Sequence, residues 1–187
     1  MLPLEPVRVW SETMKSEQGV TVLELLVVVA LLAIVVLVAM GMASGWQKRE
    51  TVRSAVYEIQ SHFQLARTEA IRRNRPCRFV IDSSTRSVQV MDLMNPADNS
   101  DDVELTSFTL PAVEFEKPGG GSAITLEASG TPDVYQATFE SDGSISAGSG
   151  TVMMEGGEDY KRVSVYAAGG TRAEHWNGTS WVPGSGK

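Results

Sequence analysis

Cysteine is almost missing: of 187 residues, only Cys77 carries a thiol. One thiol makes no intramolecular disulfide and no cysteine-based metal site, so this side chain is read as a small buried hydrophobe entering a strand. Histidine is nearly as scarce, and His62 and His175 lie too far apart in sequence to suggest a paired site. No nucleophile elbow, phosphate loop or metal-binding histidine pair occurs, so no catalytic residue, metal ligand or cofactor is expected. Aromatic residues make up 7% of the chain, and none is interleaved with the arginines as a stacking platform for bases would be. Charge is missing from one long stretch, Leu25 to Gly45.

What is present is unevenly spread. A hydrophobic share of 42% and a charged share of 21% exclude wholesale disorder, and the length suits one domain. The net charge of −7 describes no real surface. Residues 46–79 hold eight basic side chains against Glu50, Glu58 and Glu69, whereas residues 80–187 hold 6 basic against 16 acidic. A basic middle therefore precedes an acidic body.

The uncharged run is a helix long enough, at about 1.5 Å per residue, to span a hydrocarbon layer of roughly 30 Å. A cleaved secretory signal has an apolar region of only about 7–15 residues, so the run is read as a membrane span. Gly41 and Gly45 within it are read as a soft point in the helix rather than a dimerisation motif. Glu24 stands just before the run. An ionisable group there is either a functional residue or a marker of the headgroup level, and physics alone leaves both open.

After Trp46 the pattern becomes periodic. Val52, Val56, Ile59, Phe63, Ala66 and Ala70 draw one apolar stripe along a helix that is predicted to end at Asn74-Arg75-Pro76. Beyond Pro76, strands are expected near Arg78–Ile81, Ser87–Met91, Leu105–Leu110, Ala123–Leu126, Tyr135–Phe139, Thr151–Met154 and Arg162–Tyr166. Pro118–Ser122 and Ser144–Gly150 are read as loops, and Asn177-Gly178 as a hairpin turn rather than a glycosylation site.

The segment Lys15-Ser16-Glu17-Gln18-Gly19, followed by Thr21 and by Glu24 five places after the glycine, resembles the type IV prepilin cleavage and methylation signal. The resemblance implies cutting after Gly19 on the cytoplasmic side and methylation of the new amino terminus at Val20. It also implies a salt bridge from Glu24 to the amino terminus of a neighbouring subunit during assembly. Basic residues flanking the run give no orientation, so the cytoplasmic N-terminus comes from the resemblance.

Leu65-Ala66-Arg67, Glu69-Ala70 and Arg73-Asn74 resemble the helix end of the GspH/FimT group of minor pilins and pseudopilins. So do Phe139-Glu140-Ser141-Asp142-Gly143-Ser144, Val163-Ser164-Val165 and Gly169-Gly170-Thr171-Arg172. The implied fold is α+β and type IV pilin-like, a long N-terminal helix packed on an antiparallel β body. The implied organisation is a cleaved leader at 1–19, a transmembrane half-helix at 20–45, an amphipathic half at 46–75 and a periplasmic β domain at 76–187. The implied function is a non-enzymatic minor pseudopilin of type II secretion, in the inner membrane with a single pass. Its partners would be other pseudopilins or pilins, the prepilin peptidase and the inner-membrane assembly platform.

The alternative is a FimT-like type IV minor pilin active in pilus assembly or DNA uptake. Some members of that group bind DNA through a Gly-Arg-x-Arg loop. Here Gly169-Gly170-Thr171-Arg172 keeps only the second arginine, so Arg172 is the DNA-binding candidate and nucleic acid is not the expected partner. Arg67, Arg72, Arg73, Arg75 and Arg78 are read as meeting the acidic body or acidic neighbours in a filament, against phosphate binding as the rival. Asp98-Asn99-Ser100-Asp101-Asp102 lacks the glycine and distal glutamate of a calcium loop and is read as a solvated acidic loop.

Overall fold

The computed structural model describes residues 21–95, 99–157 and 159–184, with side chains at 39–44 and 99 outside the description. The leader, Gly19, Val20 and Asp98 lie outside the described residues. The chain divides into two compact units that part between Gly41 and Met42.

Helix α1 runs Val22–Arg73. It is continuous through Gly41 and Gly45, so neither glycine interrupts the hydrogen-bond ladder there. In the first unit every described side chain from Val22 to Val38 is exposed, including Leu23 at 75% and Leu37 at 70%. Among the described residues no helix is long and apolar enough to cross a membrane. In the sequence the uncharged run extends from Leu25 to Gly45, beyond Val38, after which the side chains at 39–44 are outside the description.

In the second unit the stripe is buried as the periodicity predicts. Val52, Val56, Ile59, Phe63, Ala66 and Ala70 are at most 2% exposed, and Ala55 joins them. The helix ends one residue earlier than expected, and proline is not the direct cause. Asn74 adopts a left-handed conformation with φ of 52°. The N–H of Arg75 then reaches the carbonyl of Ala70, and that of Asn74 the carbonyl of Ile71. This pair of bonds is a Schellman cap, which satisfies the last carbonyls before Pro76 is met.

Among the described residues ten strands follow, β1 Cys77–Asp82, β2 Ser87–Asp92, β3 Val103–Thr109, β4 Glu127–Ala128, β5 Val134–Phe139, β6 Ile145–Ala147, β7 Gly150–Glu155, β8 Tyr160–Val165, β9 Thr171–Trp176 and β10 Trp181–Pro183. They form two antiparallel sheets. The first has the order β3-β2-β1-β5-β4, with β6 also on β5, and the second is the meander β10-β9-β8-β7. The inward residues of both sheets join the helix stripe in one core. Phe79 and Ile81 of β1, Val88 and Val90 of β2, Phe139 of β5 and Val152, Met154, Val163 and Val165 of the second sheet meet there. Phe63 stacks on Phe79 with ring centroids 4.0 Å apart. Burying each such side chain stabilises by about 1.5–3 kcal/mol, so the helix and both sheets are held as one body.

Three expectations need correction. Ala123–Leu126 is not a regular strand but a segment laid along β7 through isolated contacts. Thr125 N–H bonds the Thr151 carbonyl at 2.9 Å, and Ile124 bridges Val152. The short strand β4 lies just beyond it. Ser144–Gly150 is not all loop, because Ile145 buries its side chain and pulls β6 onto β5. The final hairpin pairs Trp176 with Trp181, leaving a four-residue loop from Asn177 to Ser180 rather than a two-residue turn. Asn177 Oδ1 accepts the N–H groups of Thr179 and Ser180 at 3.0 and 2.8 Å, which shapes that loop.

Candidate assembly site

The start of α1 has the capping-box pattern Thr21-x-x-Glu24, a local signal that the sequence reading above does not use. Thr21 Oγ1 accepts the N–H of Glu24 at 3.2 Å. The Glu24 carboxylate therefore sits in the exposed first turn, where the partial positive charge of the helix end favours an anion.

At the other end of α1, arginines and acids interlock. Glu69 Oε2 accepts from Arg73 Nε at 2.7 Å and also pairs with Arg72. Asp92, at the end of β2 and only 1% exposed, accepts from Arg73 Nη1 at 2.9 Å and Arg75 Nη2 at 2.8 Å. Hydrogen bonds from Arg72 and Arg73 hold the Glu69 carboxyl below its ordinary range. Arg78 pairs with Asp102 at 3.4 Å. Three of the five arginines singled out in the sequence thus meet acids of the body, and Arg72 meets only Glu69 of its own helix. Cys77 lies beside this cluster, buried, and burial pushes its thiol up to about 11.

The fifth, Arg67, sits elsewhere. Two turns close against its side of the helix, one joining β5 to β6 at Gly143 and one joining β8 to β9 at Gly169. A Cβ on Gly143 would lie 3.0 Å from Arg67 Nε and 2.8 Å from Ile71 Cδ1, and one on Gly169 would lie 3.1 Å from Arg67 Nε. Three of the stretches that carry the GspH/FimT resemblance, far apart in the chain, therefore meet at one junction.

Arg172 is about half exposed on β9, 3.9 Å from Glu174 Oε1. The stronger partner of Glu174 is Arg162, whose Nε donates to Oε2 at 2.6 Å and whose guanidinium lies over the Trp181 ring. Of the two histidines, His62 donates Nδ1–H to the Glu58 carbonyl at 2.8 Å, and His175 lies on β9 with Nδ1 3.3 Å from the Gly184 carbonyl oxygen. One grouping had no sequence signal because its members are distant in the chain. Carboxylate oxygens of Glu114, Glu116 and Glu155 come within 4.8 Å of one another, which is the metal-capable arrangement among the described residues. Hydrogen bonding with Glu116, then burial and the charges of Glu116 and Glu114, push the Glu155 carboxyl above its ordinary value.

A helix with an exposed apolar N-terminal surface and a C-terminal half packed on two antiparallel sheets defines an α+β, type IV pilin-like subunit. The chain belongs to the GspH family: the family model described as type II transport protein GspH matches residues 55–169, more than half of the chain. The prokaryotic N-terminal methylation motif matches residues 14–40. The chain is accordingly a minor pseudopilin of the type II secretion class. No curated protein matches it. Among solved structures, the type IV minor pilin FimU of Pseudomonas aeruginosa is similar in two crystal forms. One has 18% identity and a TM-score of 0.43, covering 65% of this chain and 90% of that one. The other has 16% identity and a TM-score of 0.36, covering 70% and 84%.

Proposed function

We propose that the chain is held in the inner membrane by its N-terminal helix, with the β body in the periplasm. The prepilin peptidase cuts after Gly19, and the new amino terminus at Val20 is methylated. Methylation keeps the positive charge, so Glu24 of one subunit can pair with the amino terminus of the next where lipid or packed helices exclude water. The inner-membrane assembly platform then stacks these helices with those of other pseudopilins into a periplasmic pseudopilus, and the growing rod helps push folded substrates outward. No catalytic role and no cofactor are proposed.

The observation that carries this reading is the methylation motif at residues 14–40 leading into an exposed apolar helical surface. Such a surface is not left to water in a soluble monomer and calls for lipid or partner helices. The test is processing of the full chain in cells containing the peptidase. Gly19→Ala is expected to abolish the size shift and leave unprocessed chain in the membrane. Normal cleavage of that variant would refute the reading.

A further inference from the structure

Arg67 is the one member of the five-arginine group for which no ion pair occurs among the described residues. Its Nε is buried and has no hydrogen-bond partner, while the residue as a whole is partly exposed. The turns at Gly143 and Gly169 pack close against it, so a Cβ at either glycine would come within about 3 Å of Nε. Asp142, in the turn beside it, already commits Oδ1 to the N–H and hydroxyl of Ser144 at 2.8 and 2.6 Å. A held cation with no ion pair and one sealed N–H is costly unless an anion at the rest of its guanidinium offsets the charge. Its surroundings suit a protein contact: Ile71, one turn on along α1, is 50% exposed, and Tyr166, in the turn of Gly169, is 48% exposed. An arginine set among exposed apolar and aromatic side chains is the composition of an interface hot spot.

We propose that Arg67 receives a carboxylate side chain of a neighbouring pilin-like subunit, making the junction of α1 with the two turns a subunit contact. The guanidinium offers a planar fork matched to a carboxylate, and packing has already fixed it in place. This inference rests on the assembly reading above and assigns a second contact, separate from Glu24.

The test is co-purification of the full, processed chain with the other pseudopilins of its own secretion system. Arg67→Gln should lower the recovered partner about tenfold, equivalent to about 1.4 kcal/mol, and Arg67→Lys, which keeps the charge but loses the fork, should recover an intermediate amount. Arg72→Gln, whose arginine pairs with Glu69 of its own chain, should change recovery less than about twofold. Reversing an acidic partner residue to lysine should restore binding to Arg67→Glu. If wild-type chain recovers no pseudopilin, the assembly reading fails. If wild type recovers them and Arg67→Gln does so equally, the Arg67 contact alone is wrong. Melting of the detergent-solubilised chain in sodium sulfate and sodium chloride at matched ionic strength checks the other source of an anion. A sulfate-specific rise in Tm that Arg67→Gln abolishes would assign the notch to a free anion and overturn the proposal.

Discussion

The carbonyl oxygen of Gly143 occupies the place where a side chain on Gly169 would begin: a Cβ there would lie 1.8 Å from it. Backbone meets backbone at this point, with φ of 81° at Gly143 and 75° at Gly169. The turns are tied just beyond it, since Ile145 N–H bonds the Ala167 carbonyl at 2.8 Å. This contact joins the first sheet to the second.

Gly169→Ala should therefore destabilise the body by about 3 kcal/mol or more, because the turn must open as well as bear the strain of positive φ. Gly178 also has positive φ, but a Cβ there meets nothing within 4 Å. Gly178→Ala should cost only about 1–2 kcal/mol, the conformational part alone. Denaturant melts of the two variants beside wild type measure the difference, and equal losses would refute the steric argument.

Asp92 is the other hinge of the architecture, tying the capped end of α1 to the end of β2. Its carboxylate is buried while Arg73 and Arg75 are about one-third exposed, so solvent screens part of the attraction. Asp92→Ala should cost about 2 kcal/mol, below the full penalty for breaking a buried pair. Glu69→Ala removes an exposed contact within the helix and should cost less than about 1 kcal/mol. Thermal unfolding of both variants ranks them, and the reverse order would show that the helix end is not anchored through Asp92.

How far these features were legible in the sequence follows from their range. The stripe from Val52 to Ala70 was readable because helical periodicity is local, and the β1–β2 hairpin because alternation and turn residues are local. The four-residue loop at Asn177 differed from the expected tight turn because Trp176 and Trp181 pair across it, and their rings lie 5.4 Å apart. β6 was hidden because three residues flanked by Gly143 and Gly148 carry no strand signal until β5 offers an edge. The arginines were visible as a basic run, but only the fold separates the paired four from Arg67. The carboxylates of Glu114, Glu116 and Glu155 are brought together by the pairing of Glu155 N–H with the Glu114 carbonyl at 2.9 Å, which no local pattern encodes.

That carboxylate group predicts a pH dependence. Glu155 faces Glu114 and Glu116 from the loop and Lys48 from α1, and its folded-state pKa is raised above the ordinary glutamate value of 4.5. An acid with a raised folded pKa opposes folding while ionised, so stability rises as pH falls from 7 through that raised value toward 4.5. Asp82 works in the opposite sense: hydrogen bonds from Ser84, then Thr85, lower it to about 2, so its stabilising contribution is lost only in stronger acid. Glu155→Gln should raise Tm at pH 7, and its gap to wild type should narrow as pH falls toward 4.5. A constant gap across that range would exclude coupling within the carboxylate group.

Arg172 decides between the secretion reading and nucleic-acid capture. Its guanidinium is exposed but stands 3.9 Å from the buried Glu174, whose carboxylate offsets part of its field. The basic residues Arg72, Arg73, Arg75 and Arg78 are each paired with an acid of this chain and are poorly placed to release counterions from a phosphate backbone. A gel shift of the full chain in detergent with duplex DNA at 50 mM and 200 mM salt is expected to show no retained complex at the higher salt. A complex that weakens steeply with salt and disappears in Arg172→Ala would make the chain a DNA-capturing minor pilin. Loss of binding in Arg172→Ala matters here because the substitution removes one exposed cation and leaves the Arg162–Glu174 pair that holds β8 to β9 in place.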